Sequence, residues 1–192
     1  MDLLEERLAK LWMTGYRKSI PPGGSPRSAW EHPQDVVEVI REELVVLIPD
    51  EFVLDYLTRV GWLHDVLEDG YTSEGTPITE GDLWDSGVDS QVIQDVVFIS
   101  RRPGEPKELY LSRLIDTPIQ VRLLKCIDRA CVLREAPKKD AAWWDSYSSS
   151  TRKFILPLAK SLHTEGWDTW AIGLLEHALT LRPSQRFPRV TL

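Results

Sequence analysis

The run Gly61-Trp62-Leu63-His64-Asp65-Val66-Leu67-Glu68-Asp69 places one histidine and three carboxylates within six positions, at the end of an otherwise apolar segment. Upstream, Asp50 is suited to cap a helix whose inward stripe is Val53, Leu57, Val60, Leu63 and Leu67, at helical spacing. On that helix His64 neighbours Val60 and Leu67, so it faces the core. Residues four apart stack on one face, which sets His64 beside Glu68 and Asp65 beside Asp69. Carboxylates that close repel one another unless a proton or a cation intervenes, and a divalent metal is the economical explanation. Glu68 and Asp69 also end a helix, where acidic groups oppose the dipole. That unfavourable placement favours a functional role over a merely solvated helix end.

Two distant residues join this group. His32 opens a segment whose core stripe is Val36, Val39, Ile40, Leu44 and Leu47, so it occupies the inward edge; the bland alternative is a capping residue before Pro33. Asp128 lies one helical turn beyond Leu124 and is flanked by Cys126, Ile127 and Cys131. An acid in such a setting is seldom buried without a partner, which is either a metal or an ion pair with Arg122, Lys125 or Arg129. Two neutral imidazoles and two carboxylates make a mixed nitrogen and oxygen set of net charge −2, suited to Mn²⁺, Fe²⁺ or Zn²⁺. Water in an open coordination position would then supply a hydroxide nucleophile near neutral pH.

The elements that must position these groups read as helices. A short amphipathic helix is expected over 2–13, then a loop over 14–30 rich in turn formers, notably Pro21-Pro22-Gly23-Gly24-Ser25-Pro26. The next helix begins at His32-Pro33, with Pro33 at its first position, and runs to about Ile48. The helix over 50–67 follows, and then an irregular loop to Thr79. Thr79 caps a helix with Asp82 three residues on, and two helices broken near Gly87 fill 79–100. Further helices are expected over 105–115, 117–133 (opened by Thr117-Pro118), 140–163 (kinked at Pro157) and 166–181. Strand-like alternation is nearly absent, so the fold class is all-α.

Composition narrows the partners. The chain has 192 residues, 42% of them hydrophobic, and eight Trp, enough for one sizeable core; a single domain over 1–192 is expected. No apolar run reaches the ~20 residues that span a bilayer. The acidic, amphipathic start Met1-Asp2-Leu3-Leu4-Glu5-Glu6 is unlike a secretory signal, which points to the cytosol. Cys126 and Cys131, the two cysteines, read as reduced core residues. A formal charge of −7 repels duplex nucleic acid but admits a small anion wherever the site is locally positive or holds a metal.

His32, then His64-Asp65, then Asp128 resembles the H…HD…D pattern of the HD-domain metal-dependent phosphohydrolases. Within that superfamily the likeness is to the (p)ppGpp hydrolase domains of RelA/SpoT homologues, especially the small single-domain alarmone hydrolases. Arg17-Lys18-Ser19 resembles the basic motif before the first histidine, and His32-Pro33 matches the His-Pro pair. His64-Asp65-Val66-Leu67-Glu68-Asp69 fits HDxxED, and Leu124-Lys125-Cys126-Ile127-Asp128-Arg129 looks like K-L-A-D-R. Ser100-Arg101-Arg102-Pro103-Gly104-Glu105 is similar to a T-R-R-x-G-E turn, and Leu156-Pro157-Leu158-Ala159 to a later P-L-A. The likeness covers about residues 14–163. The chain departs from it at Val132, where the family usually has a nucleotide-holding Asn, and in a lengthened loop between Arg17 and His32.

The resemblance implies an HD-domain helical bundle that removes the 3′-pyrophosphate of (p)ppGpp. His32, His64, Asp65 and Asp128 would hold one divalent ion, Mn²⁺ by family analogy, with Fe²⁺, Zn²⁺ or Co²⁺ also admitted. Glu68 and Asp69 would orient and deprotonate the attacking water. Arg17 and Lys18 would neutralise phosphate charge; Lys125 and Arg129 are further candidates for phosphate, and Thr151 aligns with a substrate-side threonine when Pro157 anchors the comparison. For Trp143-Trp144-Tyr147 core packing or a dimer contact is the commoner role, with base stacking the alternative. The loop between Arg17 and His32 is expected to be a substrate-facing lid. Two other readings stand beside this one: a dNTP triphosphohydrolase or nucleotidase of the same superfamily, and a non-catalytic nucleotide-binding module. Intact HDxxED argues against the last.

Overall fold

In the computed structural model the described residues are 3–15 and 28–182, so Arg17, Lys18 and most of the expected lid lie outside them. The described chain is helical: α1 (Leu4–Trp12), α2 (Glu31–Glu43), α3 (Glu51–Leu63), α4 (Val66–Asp69), α5 (Glu80–Asp85) and α6 (Ser90–Ile99). There follow α7 (Lys107–Arg113), α8 (Ile119–Arg134), α9 (Ala141–Ser150), α10 (Leu156–Lys160) and α11 (Asp168–Ala178). Among the described residues there is no β-sheet, only isolated bridging such as that between Tyr71 and Pro77. None of these helices is long and apolar enough to cross a membrane.

Local sequence sets many of the boundaries. The Asp50 carboxylate accepts the Phe52 amide at 2.9 Å and starts α3. Thr79 and Asp82 form a reciprocal capping box at α5, and Asp89 caps α6 through the Gln91 amide. At α2 the cap is different from the one expected: the helix begins at Glu31, whose side chain reaches back to the Ser28 amide at 2.8 Å, and Pro33 is its third residue.

Helix α8 is the spine. Eleven of its sixteen residues are buried, so it must be apolar nearly all round, and its polar members Lys125, Asp128 and Arg129 are carried inside with it. Helices α2, α3, α6, α10 and α11 pack around it. Leu57, Leu63, Leu114, Leu123, Leu124 and Ile127 are wholly shielded within the one core cluster. Gly61 lets α3 approach α2 closely: a Cβ there would lie 3.1 Å from Ile40 Cδ1 and 3.2 Å from Val37 Cγ2. That approach brings the end of α3 against the start of α2, where the two histidines are.

Two expected helices are broken. The segment over 50–67 ends at Leu63, and His64-Asp65 form a turn before the short α4. At the break the buried Ser100 hydroxyl, which donates to the Val96 carbonyl at 2.7 Å, lies 3.4 Å from the His64 carbonyl oxygen. The segment over 140–163 is interrupted by a π-helical turn over Thr151–Ile155 ahead of Pro157, and it closes in a 3-10 turn at Ser161–Glu165.

Candidate metal centre and anion cleft

His32, on the first turn of α2, and His64, at the end of α3, face each other with ring centroids 5.2 Å apart and planes at 65°. Both are buried. The His64 Nδ1 lies 2.7 Å from the Gly61 carbonyl oxygen. A carbonyl only accepts, so Nδ1 carries the hydrogen and Nε2 of the neutral ring keeps its lone pair. That Nε2 is buried without a hydrogen-bond partner, 3.4 Å from Asp65 Oδ1 and 3.8 Å from Asp128 Oδ1. His32 Nε2 lies 2.8 Å from Asp128 Oδ1 and 3.8 Å from Asp65 Oδ2, while its Nδ1 is also buried without a partner.

These atoms meet the requirements of a small cation. One donor atom each from His32, His64 and Asp65 falls within 4.8 Å of the others, and Asp128 Oδ1 closes the group from α8. An unpaired buried ring nitrogen costs about 1–3 kcal/mol unless something binds there, and nitrogen and carboxylate donors in equal number suit a borderline divalent ion. The four residues brought together are those expected from the sequence.

The electrostatics carry the same message. Desolvation would lower the His64 pKa, but the charges of Asp65 and Asp128 raise it to about 9. Asp128, against its desolvation, is held well below the usual carboxylate range by Lys125 and the two histidines. Lys125 Nζ lies 2.7 Å from Asp128 Oδ2, leaving Oδ1 turned toward the imidazoles. Burial acts to discharge Lys125, yet Asp128, Tyr110 and Glu68 outweigh it and the amine stays protonated. Both shifts show that the surrounding carboxylates favour positive charge at His64, where a bound ion would supply it in place of a proton.

Glu68 and Asp69 line the cleft that opens from these ligands. The pKa of Glu68 is raised, first by desolvation in the cleft and then by the charge of Asp65, partly opposed by Lys125 and by the Arg101 amide. Its Oε1 accepts that amide at 2.9 Å. A carboxylate made more basic in this way is suited to take a proton near neutral pH.

The cleft has a volume of about 260 Å³, and its wall carries Arg101, Lys107, Lys125 and Arg129. Lys107 Nζ sits 4.6 Å from the Tyr147 ring centroid and the Arg129 guanidinium carbon 5.1 Å from it. Desolvation lowers the Lys107 pKa, and the charges of Arg129, Arg101 and Lys125 lower it further. Such crowding of like charge is relieved by an anion. Size alone does not mark the site: grooves of about 280 Å³ near Glu42 and about 440 Å³ near Trp84 combine no histidine with carboxylates and cations.

Thr151 is placed differently from the expectation. It is wholly buried and does not line the cleft; its hydroxyl donates to the Tyr147 carbonyl at 2.7 Å and accepts from Arg129 Nη1 at 3.3 Å. The π-helical turn that begins there faces Thr151 and Ser150 toward Arg129, so Thr151 orients the guanidinium. Trp143 and Tyr147 stack on each other at 4.4 Å and 18°, both partly exposed; Trp144 and Tyr147 pack against the core, and Tyr147 also lines the cleft. Lys107 and Tyr110 line it without having been singled out by sequence, and so does Arg101, which was noted only as part of the turn motif and given no role. For Lys107 a signal existed: it is the first residue of α7, where a cation opposes the helix dipole as Glu68 and Asp69 do at the other end of α4.

No family model matches the chain, and no curated protein does. A solved structure does, described as "a metazoan ortholog of SpoT" that "hydrolyzes ppGpp and plays a role in starvation responses". It superposes with a TM-score of 0.66 at 19% identity, over 92% of each chain. The chain therefore has the all-α HD-domain fold.

Proposed function

We propose that this protein is a metal-dependent phosphohydrolase of guanosine polyphosphates, removing the 3′-pyrophosphate of a (p)ppGpp-type substrate to leave GDP or GTP. One observation carries the reading: a histidine–carboxylate centre shares one cleft with four cations, three of which have no carboxylate partner among the described residues. Arg101, Lys107 and Arg129 make no ion pair among the described residues, and Lys125 is paired only with Asp128. The HD-domain fold shared with a ppGpp hydrolase supports it.

His32, His64, Asp65 and Asp128 are the residues that would hold the ion, which by family analogy is Mn²⁺. When bound, the ion supplies Lewis acidity toward the scissile phosphate. Glu68, with Asp69 beside it, accepts a proton from the attacking water, whose oxygen forms the new bond to phosphorus as the bond to the 3′ oxygen breaks. The cations bind the phosphates, and they gain most as charge shifts onto the leaving oxygens. The Tyr147 ring lies against both Lys107 and Arg129, a contact favourable to each cation, which helps keep two like charges in one wall.

The test is a nucleotide panel incubated with Mn²⁺, the products being resolved. Release of pyrophosphate from (p)ppGpp, abolished by Asp65→Asn, is the expected result. Val132 lines the cleft with an apolar surface where the resembled family offers an amide, and this favours the second reading, a dNTP triphosphohydrolase or nucleotidase. Triphosphate or orthophosphate from dNTP or NMP, with (p)ppGpp untouched, would establish that reading instead.

A further inference from the structure

Glu68 is held by a peptide group that is itself gripped from behind. The Arg101 N–H donates to Glu68 Oε1 at 2.9 Å. The carbonyl of that same peptide belongs to Ser100, and it accepts from Arg113 Nη2 at 2.7 Å. The N–H and C=O of a trans peptide point in opposite directions, so fixing one fixes the aim of the other. Arg113 also satisfies the Phe98 carbonyl at 2.8 Å, one of the acceptors left open at the end of α6. Its remaining donors form a two-point pair with Glu105, at 2.7 and 3.1 Å.

Glu105 closes the turn from the other side, accepting the Arg102 amide at 3.0 Å. The Tyr110 hydroxyl donates to the Ile99 carbonyl at 2.6 Å, so three successive carbonyls leaving α6 are each fixed by a side chain of α7. A planar guanidinium serving two carbonyls and one carboxylate is a rigid fork, which a single ammonium cannot reproduce. Neither Arg113 nor Glu105 lines the cleft.

We propose that Arg113 and Glu105 are positioning residues that hold Glu68 in its proton-accepting orientation through the Ser100–Arg101 peptide. The inference rests on the role given to Glu68 above. In that arrangement Oε1 is committed to the peptide, and the second oxygen is left to meet the water.

The experiment compares wild type with Arg113→Lys and Glu105→Gln, two variants that keep size and remove the fork. Amide exchange at Arg101, followed by NMR on the full chain, should accelerate in both. With Mn²⁺ and the turned-over nucleotide, kcat should fall about 10–100-fold, the usual loss when the partner of a site residue is removed. KM and Mn²⁺ affinity should stay within about threefold, which a general loosening of the fold would not produce. On a Glu68→Gln background the same substitutions should cost kcat nothing more, because the group they position is already gone. Unchanged Arg101 exchange, or a kcat loss that adds fully to that of Glu68→Gln, overturns the proposal. A wild type that turns over no nucleotide in the panel overturns the assigned reaction instead, and the exchange measurement still decides whether the fork holds the peptide.

Discussion

Metal binding at the histidine–carboxylate centre should tighten steeply with pH. His64 retains a proton up to about pH 9 because Asp65 and Asp128 overcome its desolvation. A metal ligand must be a neutral imidazole, so the proton has to leave when the ion arrives. Each pH unit below that value costs about tenfold in apparent affinity, or ~1.4 kcal/mol, so about 100-fold separates pH 7 from pH 9. The metal-free protein should respond in the opposite sense. Because the folded pKa lies above the ordinary 6.5, His64 contributes stability that is full below that value and lost as pH rises through about 9. The loss amounts to roughly 3 kcal/mol. Calorimetric Mn²⁺ titrations in two buffers of different ionisation heat should show ~1 proton released per ion at neutral pH. Thermal melts of metal-free protein should fall over the range where binding strengthens. In Asp65→Asn the His64 proton is held less tightly, so metal-free melts of that variant should lose less stability as pH rises toward 9. Affinity that is flat with pH, with no proton released, would refute the assignment of His64 Nε2 to the ion.

Three further outcomes follow from the same geometry. Glu68→Gln should keep the metal and the fold yet lose at least ~10²-fold in kcat, measured at saturating nucleotide; loss of metal with unchanged activity per ion would make Glu68 a ligand instead. Lys107→Ala should raise KM by about tenfold, the scale of one charge-assisted contact, without altering Mn²⁺ affinity, and an unchanged KM would remove Lys107 from the phosphate wall. Leu124→Ala, at a fully shielded position of α8, should cost about 2–5 kcal/mol in urea unfolding, and a cost below ~1 kcal/mol would mean the spine can collapse around the gap.

The parts legible in the sequence are those fixed by neighbours in the chain. The caps at Asp50 and Thr79 depend on groups two or three residues away, so their side chains announce them. The inward faces of His32, His64 and Asp128 followed from the spacing of apolar residues, but joining the three into one centre rested on the family resemblance, because spacing alone left His32 a possible cap and Asp128 a possible ion-pair partner. The break at His64-Asp65 was not legible, since the apolar periodicity runs on unbroken through Leu67. Thr151 matched a substrate-side position by alignment, yet the π-helical turn directs it to Arg129 and away from the cleft. Lys107 and Tyr147 meet only because α7 packs against the π-helical turn that continues α9. Arg17 and Lys18, expected to bind phosphate, lie outside the described residues.

The cationic wall lies in a protein of the opposite sign. Charged side chains lining the cleft balance, with Arg101, Lys107, Lys125 and Arg129 against Asp65, Glu68, Asp69 and Asp128, so the formal −7 resides elsewhere in the chain. A diffusing anion therefore meets repulsion at long range and attraction only within about one Debye length of the opening, ~10 Å at 0.1 M salt. Moderate salt should first speed encounter by removing the outer barrier and then slow it by screening the wall, giving an association rate with a maximum in ionic strength. A compact anion crosses that barrier once and is captured. A nucleic-acid strand that presented one phosphate to the cleft would lay its others along the repelling surface, so the field sorts polyanions by their length.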